Sequence, residues 1–425
     1  MTRKKPTKLF EPIMVGNMEL KNRIKMPAMA IAMGEDGEIS EAAKAFYVER
    51  AKGGVALMGV SCTPTRLIED PMLGLYEDRF IPGLKDLVES VRPYGARLYT
   101  QMGVGYSWGF GDDPVELVSP SGLTCWGRPG TPFRMGGPLE PTMPRELTVD
   151  EIQQIVETYG DCARRTQEAG FDAVEIIAAV GYVTAQFISP KTNKRTDQYG
   201  GSLENRMRLF LEIIANIKKK TDGDFPILCR ISGADLLDEG GYNLEDNKKI
   251  APMLEEAGMN QIDVMAGWHN ANVAMIQTQV PQGSWVHLAE GIKSVVNIPV
   301  AAGTQIQDID VAERVVAEGR VDMVYMARGL VADPELPRKA QQGRLDDIRP
   351  CMNCCRCMAA SDNPPVHCTV NGRLGREWKY PEERPAKDNK RVLVVGGWPG
   401  GMEAARIATL RGHRVTLCEQ KPKLG

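Results

Sequence analysis

The chain contains 425 residues with a formal net charge of -3 at pH 7 and 43% hydrophobic residues, a length that suits two or three domains or one large barrel with additions. The charge lacks the basic excess that nucleic-acid-binding proteins usually show, so no polyanionic partner is expected. No apolar run approaches about eighteen residues and none follows the basic N-terminus, so we expect a cytoplasmic protein without a membrane span or secretory signal.

Candidate strands alternate with candidate helices between about residue 20 and residue 345. The strands are Ile24–Ala30, Val55–Cys62, Ala96–Gln101, Ala173–Ala178, Ile227–Ser232, Gln261–Met265, Val300–Gly303 and Met323–Ala327. Helical partners include Ile81–Val91, Thr148–Ala169, Leu203–Lys220, Glu245–Ala257 and Asp308–Ala317. Eight such β/α units predict an α/β fold, a (β/α)₈ TIM barrel over residues 1–345, with its active site at the carboxyl ends of the strands.

Two local features lie between the third and fourth candidate strands. The Gly/Pro-rich stretch from Gly103 to Arg145 is too long for a plain connection, so we interpret it as an insertion near the active face. After it, Thr148 and Glu151 predict a capping box at a helix start, and Gly170 is expected to end that helix.

Five of the ten cysteines lie between Cys351 and Cys368, in a segment assigned to residues 346–378. Three thiols from one tight loop and a fourth from the returning chain form a spacing typical of [4Fe–4S] ligation. The predicted ligands are Cys351, Cys354, Cys357 and Cys368. A structural zinc site remains the alternative, and Cys355 could replace Cys354 as a ligand.

A second nucleotide-binding unit is predicted after a polar linker at residues 379–390. Residues 391–425 read as strand, glycine turn, helix and second strand, the start of a Rossmann-like domain for FAD or NAD(P). Its expected binding residues are Gly396, Gly401 and Glu419, although Trp398 replaces the second glycine of the usual pattern. One βαβ unit cannot bury its own faces, so we expect these residues to be a fragment of a longer polypeptide.

Three motifs resemble the old yellow enzyme family. They are LFEPIMVGNMELKNRIKMPAM near the N-terminus, QFISPKTNKRTDQYGGSLENR at Gln186–Arg206, and ARGLVADPEL after the last strand. With the cysteine cluster, this order resembles the multidomain branch that contains bacterial 2,4-dienoyl-CoA reductase, trimethylamine dehydrogenase and 2-enoate reductases. The resemblance implies FMN in the barrel, a [4Fe–4S] cluster beside it, and FAD and NAD(P)H in the full-length protein.

The resemblance also implies which residues hold FMN. Backbone at Pro27, Ala28, Met29 and Ala30 would contact it, Gln101 and Arg230 would face its polar edge, and Gly303, Thr304, Ala327 and Arg328 would hold the phosphate. A guanidinium at the polar edge favours the anionic reduced flavin. The alternative is that Arg328 is a surface residue and Gln101 a core residue.

Tyr182 and His269 are the catalytic candidates that the resemblance implies, because they match the acid pair of the dienoyl-CoA reductases. Ile177 and Val180 occupy positions where many family members place residues that hydrogen-bond the substrate. Ala30 stands where the flavin-linking cysteine of trimethylamine dehydrogenase would fall, so covalent FMN and amine demethylation lose support.

The expected activity is NAD(P)H-dependent reduction of a C=C bond conjugated to a carbonyl, with an unsaturated (di)enoyl-CoA as the leading substrate. Alternatives are an ene-reductase for a free enoate or a cyclic or steroidal enone, an amine dehydrogenase, and a non-catalytic electron-transfer module. Two interpretations have equal weight for the basic residues of one loop, which are Lys191, Lys194 and Arg195. They could contact CoA phosphates, or they could be solvated charges. The oligomeric state stays open, a homo-oligomer being one option.

Overall fold

The computed structural model describes residues 4–65, 72–103, 107–108, 116–123, 143–237, 239–269, 271–360, 365–381 and 385–425. Most of the predicted insertion after Gly103 lies outside these residues. The chain divides into two compact units, Met1–Gly375 and Arg376–Gly425.

Eight parallel strands close a barrel in the larger unit, as the alternating pattern predicts. They are β1 (Ile24–Met26), β2 (Leu57–Thr63), β3 (Arg97–Met102), β4 (Ala173–Ala178), β5 (Ile227–Ser232), β6 (Gln261–Met265), β7 (Val300–Ala302) and β8 (Met323–Tyr325). Each strand pairs with the next along the chain, and Val324 of β8 pairs with Ile24 of β1 to close the ring. The carboxyl ends of all eight strands therefore meet at one end of the barrel.

The helices of the larger unit connect these strands. They are α1 (Glu41–Lys52), α2 (Ile81–Val91), α3 (Val149–Glu168), α4 (Val183–Ile188), α5 (Leu203–Lys220), α6 (Leu244–Glu256), α7 (Val286–Lys293), α8 (Ile309–Ala317), α9 (Ala327–Ala332) and α10 (Leu336–Gln341). The predicted capping box of α3 is confirmed, since Thr148 Oγ1 accepts from the backbone N–H of Glu151 at 3.2 Å and the Glu151 carboxylate accepts from the N–H of Thr148 at 2.7 Å. Gly170 ends this helix with a φ of 82°.

The barrel strands are buried on both faces, which explains their nearly continuous apolar sequences. Charged residues interrupt these sequences, and three of them are fully buried. Lys25 lies in β1, Glu175 in β4 and Asp263 in β6, and none of the three side chains is exposed to solvent. Such charges are unusual in a barrel interior, where branched apolar side chains dominate.

The smaller unit contains one parallel βαβ arrangement. Strands β9 (Arg391–Val395) and β10 (Arg414–Cys418) pair in parallel and flank helix α11 (Pro399–Leu410). A Cβ on Gly401 would overlap the carbonyl oxygen of Gly396, so the helix approaches the strand closely at this glycine. The Glu419 carboxylate accepts from the backbone N–H of Gly397 at 2.6 Å. Among the helices of the described ranges, none combines the length and apolarity needed to cross a bilayer.

Candidate active site

Tyr182 and His269 lie side by side at the carboxyl end of the barrel. Tyr182 follows β4 and precedes α4, whereas His269 follows β6. Their ring centroids are 5.7 Å apart, with an angle of 73° between the ring planes. The structure thus brings together the two residues that the sequence analysis selected as an acid pair, and both are half-buried.

Ser232, at the end of β5, links the two loops that carry this pair. Its hydroxyl accepts from the backbone N–H of Val180 at 3.2 Å and donates to the carbonyl of Gly267 at 3.1 Å. The backbone N–H of His269 donates to the carbonyl of Val180 at 3.3 Å. Val180 adopts a φ of 55°, which is strained for a β-branched residue and is typical of positions where function outweighs local stability.

Burial keeps both members of the pair neutral at neutral pH. It raises the pKa of Tyr182 to about 12, with the charge of Arg230 opposing this shift, and lowers the pKa of His269 to about 4. Tyr182 therefore carries a phenolic proton that it can donate. His269 offers one N–H and one ring lone pair, and an imidazolium is not its form at neutral pH.

The wall beside Tyr182 is apolar. Ile177, Ala179 and Val180 form a buried cluster, and Tyr182 and Met265 pack against it. None of these aliphatic side chains can hydrogen-bond a substrate oxygen. The polar groups that accompany this wall are the hydroxyl of Tyr182, which packs against it, and the imidazole of His269 beside Tyr182.

The residues expected around FMN all lie at this end of the barrel. Pro27, Ala28, Met29 and Ala30 follow β1, Gln101 lies in β3 and Arg230 in β5, Gly303 and Thr304 follow β7, and Ala327 and Arg328 begin α9. Their roles toward FMN stay proposals. A Cβ on Gly303 would overlap the ring of Tyr325, so packing already requires glycine at that position.

Arg230 provides a structural test of whether a flavin fits here. Its Nη2 lies 3.3 Å from a carboxylate oxygen of Glu175 and 3.3 Å from one of Asp263. Its Nε is buried and has no hydrogen-bond partner in the described part of the chain. Because native proteins rarely leave a buried charged donor unsatisfied, a ligand that accepts a hydrogen bond at this place fits the site.

Arg328 is buried, so the alternative that it is a surface residue is wrong. Its Nη1 donates to the carbonyl of Ile276 at 2.9 Å and to Asn353 Oδ1 at 3.0 Å, and its Nη2 donates to Gln305. This guanidinium therefore connects the barrel loops to the cysteine segment. Gln101 is buried too, and its side-chain amide donates to the Glu175 carboxylate. A position in the core is therefore compatible with the proposed contact to the polar edge of FMN.

Cys354 and Cys355, the two candidates for the second cluster ligand, differ in their surroundings. Cys354 is exposed, with its Sγ 3.3 Å from Thr369 Oγ1, whereas the Sγ of Cys355 lies 3.6 Å from the carbonyl oxygen of Ile276 and 3.6 Å from Arg328 Nη1. Cys355 is therefore directed at the barrel loops. Within the described ranges, no three His, Cys, Asp or Glu side chains converge on a position for one metal ion.

The donor set of four thiols nevertheless suits an iron–sulfur cube, because each thiolate ligates a different iron atom and the four need not converge on one point. Burial raises the pKa values of Cys351 and Cys357.

Arg195 is fully engaged by other protein groups, two of them distant in the chain. Its guanidinium donates to the carbonyls of Pro120 at 2.7 Å and Leu147 at 2.6 Å, and it pairs with Asp197 at 2.6 Å. It is therefore a structural residue here, and a role as a CoA phosphate contact loses support.

Sequence reasoning missed Lys25, Glu175 and Asp263, which surround the inner side of Arg230. The available signal was a single charge inside each of three apolar strands. Such a charge must find a buried partner, since an unpaired one costs several kcal/mol, of order 3–5.

A model of the NADH:flavin oxidoreductase / NADH oxidase family matches residues 8–347. A similar protein is the NADH oxidase of Thermoanaerobacter brockii, 42% identical over 98% of this chain and 64% of that protein. Another is the cinnamate reductase of Clostridium sporogenes, 33% identical over 98% of this chain and 65% of that protein.

A solved complex of 2-naphthoyl-CoA reductase with 2-naphthoyl-CoA has a similar fold. It aligns with a TM-score of 0.88 and 34% sequence identity over 98% of this chain and 65% of that chain. The present chain spans less than two thirds of the length of each of these three proteins.

Proposed function

Because the chain belongs to the NADH:flavin oxidoreductase / NADH oxidase family of flavin-dependent oxidoreductases, we propose that its barrel binds FMN and reduces a C=C bond conjugated to a carbonyl. The observation that carries this proposal is the Tyr182–His269 pair at the carboxyl end of the barrel. The unsatisfied Nε of Arg230 at the cofactor side supports it.

Each residue group has a defined task in this proposal. Arg230 and Gln101 would face the polar edge of FMN, and the loops after β7 and β8 would hold its phosphate, the usual phosphate site of this fold. When bound, FMN supplies the hydride that adds to one alkene carbon. The other alkene carbon receives a proton, so that the hydride and the proton together saturate the double bond.

Tyr182 is the proposed proton donor, because its raised pKa keeps the phenol protonated across the neutral range. The neutral imidazole of His269 would hydrogen-bond the phenol or the substrate oxygen, and the phenolate left after the transfer would regain its proton from solvent. The apolar wall of Ile177 and Val180 would exclude water from the reacting carbons.

We propose that Cys351, Cys354, Cys357 and Cys368 hold a [4Fe–4S] cluster that passes single electrons to the barrel. Cys354 is preferred over Cys355 because the latter is directed at Ile276 and Arg328. NAD(P)H would be the electron source in a full-length protein. Gly396, Gly401 and Glu419 would belong to its FAD or NAD(P) site.

An unsaturated acyl-CoA is the leading substrate, supported by the similarity to 2-naphthoyl-CoA reductase. A free enoate is the second candidate. The similarity to cinnamate reductase and the engagement of Arg195 by the carbonyls of Pro120 and Leu147 favour it. An amine substrate has less support, since Ile177 and Val180 cannot hydrogen-bond.

The decisive experiment is anaerobic purification followed by flavin, iron and sulfide analysis and alkene screening of the photoreduced protein. Enoyl-CoA thioesters and the matching free acids should be tested as pairs, so that the ratio of their kcat/KM values identifies the substrate class. A colourless protein with an intact barrel, or zinc in place of iron, would contradict the proposal.

Replacing Cys357 by serine should abolish most of the iron and sulfide content, because one thiolate ligand of the cluster is lost. Cys355→Ser is the matched control in the same loop, and it should retain the cluster together with its absorbance. Iron and sulfide analysis of both anaerobic proteins gives the answer. Cluster loss in the Cys355 variant with retention in Cys354→Ser would reverse the ligand assignment.

His269 should titrate well below the ordinary histidine range, since burial lowers its pKa to about 4. The imidazole would then stay neutral from about pH 5 upward and become charged only below that range. NMR of histidine-labelled protein measures this, with the signal that disappears in His269→Gln assigned to the residue. A midpoint near the ordinary histidine value of about 6.5 would instead restore an imidazolium acid to the mechanism.

A further inference from the structure

Four buried charges form a closed network inside the barrel, on the inner side of the proposed cofactor site. Lys25 Nζ lies 2.7 Å from Glu175 Oε1 and 2.9 Å from Asp263 Oδ2. Arg230 Nη2 lies 3.3 Å from each of the same two carboxylates. Two positive and two negative groups make the network neutral when all four are ionised.

Stability alone is a weak explanation for this network. Replacing a buried ion-pair network by apolar residues is often neutral or stabilising, and apolar residues are what barrel interiors normally contain. Lys25, Glu175 and Asp263 have no exposed side-chain surface, whereas the side chain of Arg230 is 8% exposed. Arg230 is therefore the member through which a bound ligand would affect the other three.

The two carboxylates are not equivalent. Burial raises the pKa of Asp263, and Glu175 raises it further, against Lys25 and Arg230. Burial would also raise the pKa of Glu175, but Arg230 and Lys25 outweigh it and hold that pKa below its ordinary value. The contacts point the same way, because Glu175 accepts from Lys25 on Oε1 and from Gln101 on Oε2, so the first proton is assigned to Asp263.

The contacts of Asp263 leave one oxygen suited to a proton. Oδ2 faces both cations, whereas Oδ1 accepts from Gln261 Nε2 at 3.2 Å. The other titratable groups around the network are Tyr99, Cys229 and Tyr325, and burial raises the pKa of each, so they remain neutral across the physiological range. Asp263 is thus the member whose charge can change near neutral pH.

We propose that Asp263 is the proton acceptor of this network and takes up one proton from solvent when negative charge develops at the ligand that Arg230 faces. The added charge attracts Arg230 and repels both carboxylates in a medium of low dielectric, and protonation of Asp263 restores neutrality. Per two electrons delivered to a bound flavin, one proton joins the flavin and a second forms an O–H bond on Asp263. This inference rests on the proposed FMN site.

The test compares wild-type protein with Asp263→Asn, each loaded with FMN and photoreduced by a two-electron donor in weakly buffered solution containing a pH indicator, and the protons that the donor releases are calibrated with free FMN and subtracted. Near neutral pH the wild type should take up about two protons per flavin and the variant about one. At about pH 5 the wild-type uptake should fall to one, because Asp263 is then already protonated. The pH slope of the flavin midpoint potential should be about twice as steep in the wild type.

Asp333→Asn is the matched control, because Asp333 is another buried carboxylate, paired with Lys339 at 2.6 Å outside the network. It should keep the wild-type uptake. Infrared difference spectra, reduced minus oxidised, should show a new protonated carboxyl band in the wild type and in this control, but not in Asp263→Asn.

Each outcome distinguishes the two proposals. Failure of the wild type to bind FMN overturns the proposed function and this inference with it. FMN binding with equal proton uptake in wild type and Asp263→Asn overturns the inference alone. If Asp263→Asn does not fold, the wild type still decides, since one proton per flavin at every pH and no new carboxyl band would also overturn it.

Discussion

Replacing Tyr182 by phenylalanine is expected to lower the rate of alkene reduction by about 10²- to 10⁴-fold, the usual contribution of a positioned general acid. The ring and its packing against Ile177 and Val180 are retained, so only the transferable proton is lost. FMN affinity should remain unchanged, because the hydroxyl is assigned to the substrate. Single-turnover oxidation of the photoreduced protein by an enoyl-CoA or enoate measures the step directly.

Tyr242→Phe is a suitable control for this substitution. Tyr242 is buried, and its hydroxyl accepts from Trp268 Nε1 at 3.3 Å, next to His269 in the chain. The control removes a phenolic hydroxyl from the same region without removing the proposed acid, and its rate should remain close to that of the wild type. Equal rates in Tyr182→Phe and wild type would remove Tyr182 from the mechanism.

Replacing Lys25 by methionine is expected to destabilise the protein by about 3–5 kcal/mol, the usual cost of removing one partner from a buried ionic network. Glu175 and Asp263 would then share Arg230 as their remaining cation in the network. Urea unfolding of wild type and variant at several pH values gives the difference in the free energy of unfolding.

The cost of this substitution should depend on pH in a defined direction. The folded-state pKa of Asp263 is already raised, so the folded protein keeps a proton that the unfolded chain has released, and stability decreases as pH rises through that interval. Without Lys25 both carboxylates lose an attractive charge and their pKa values rise further. The destabilisation should therefore be larger at about pH 8 than at about pH 5.

Lys248→Met provides the surface comparison, since Lys248 pairs with the exposed Glu245 at 2.8 Å. Its loss should cost less than about 1 kcal/mol at any pH. If both lysine variants lost the same small amount of stability, the buried network would not have the strength that its geometry indicates.

The barrel could be predicted from the sequence, since its strands are short apolar runs that alternate with segments of helical periodicity. The capping box of Thr148 and Glu151 forms as expected because it depends on residues three positions apart. Family motifs and strand-end positions also selected Tyr182 and His269, which the fold then brings together. The capping box depends on neighbouring residues, and the selection of Tyr182 and His269 depends on a sequence motif, so both could be predicted before the fold was known.

The partners of the buried charges could be recognised only in the tertiary structure. Lys25, Glu175, Arg230 and Asp263 lie in four different strands, so their network exists only after the barrel closes. The burial of Arg328 and the engagement of Arg195 by carbonyls distant in the chain are decided in the same way. The physical reason is that the energy of a charge depends on its partners and on its solvent exposure, and residues far apart in the chain determine both.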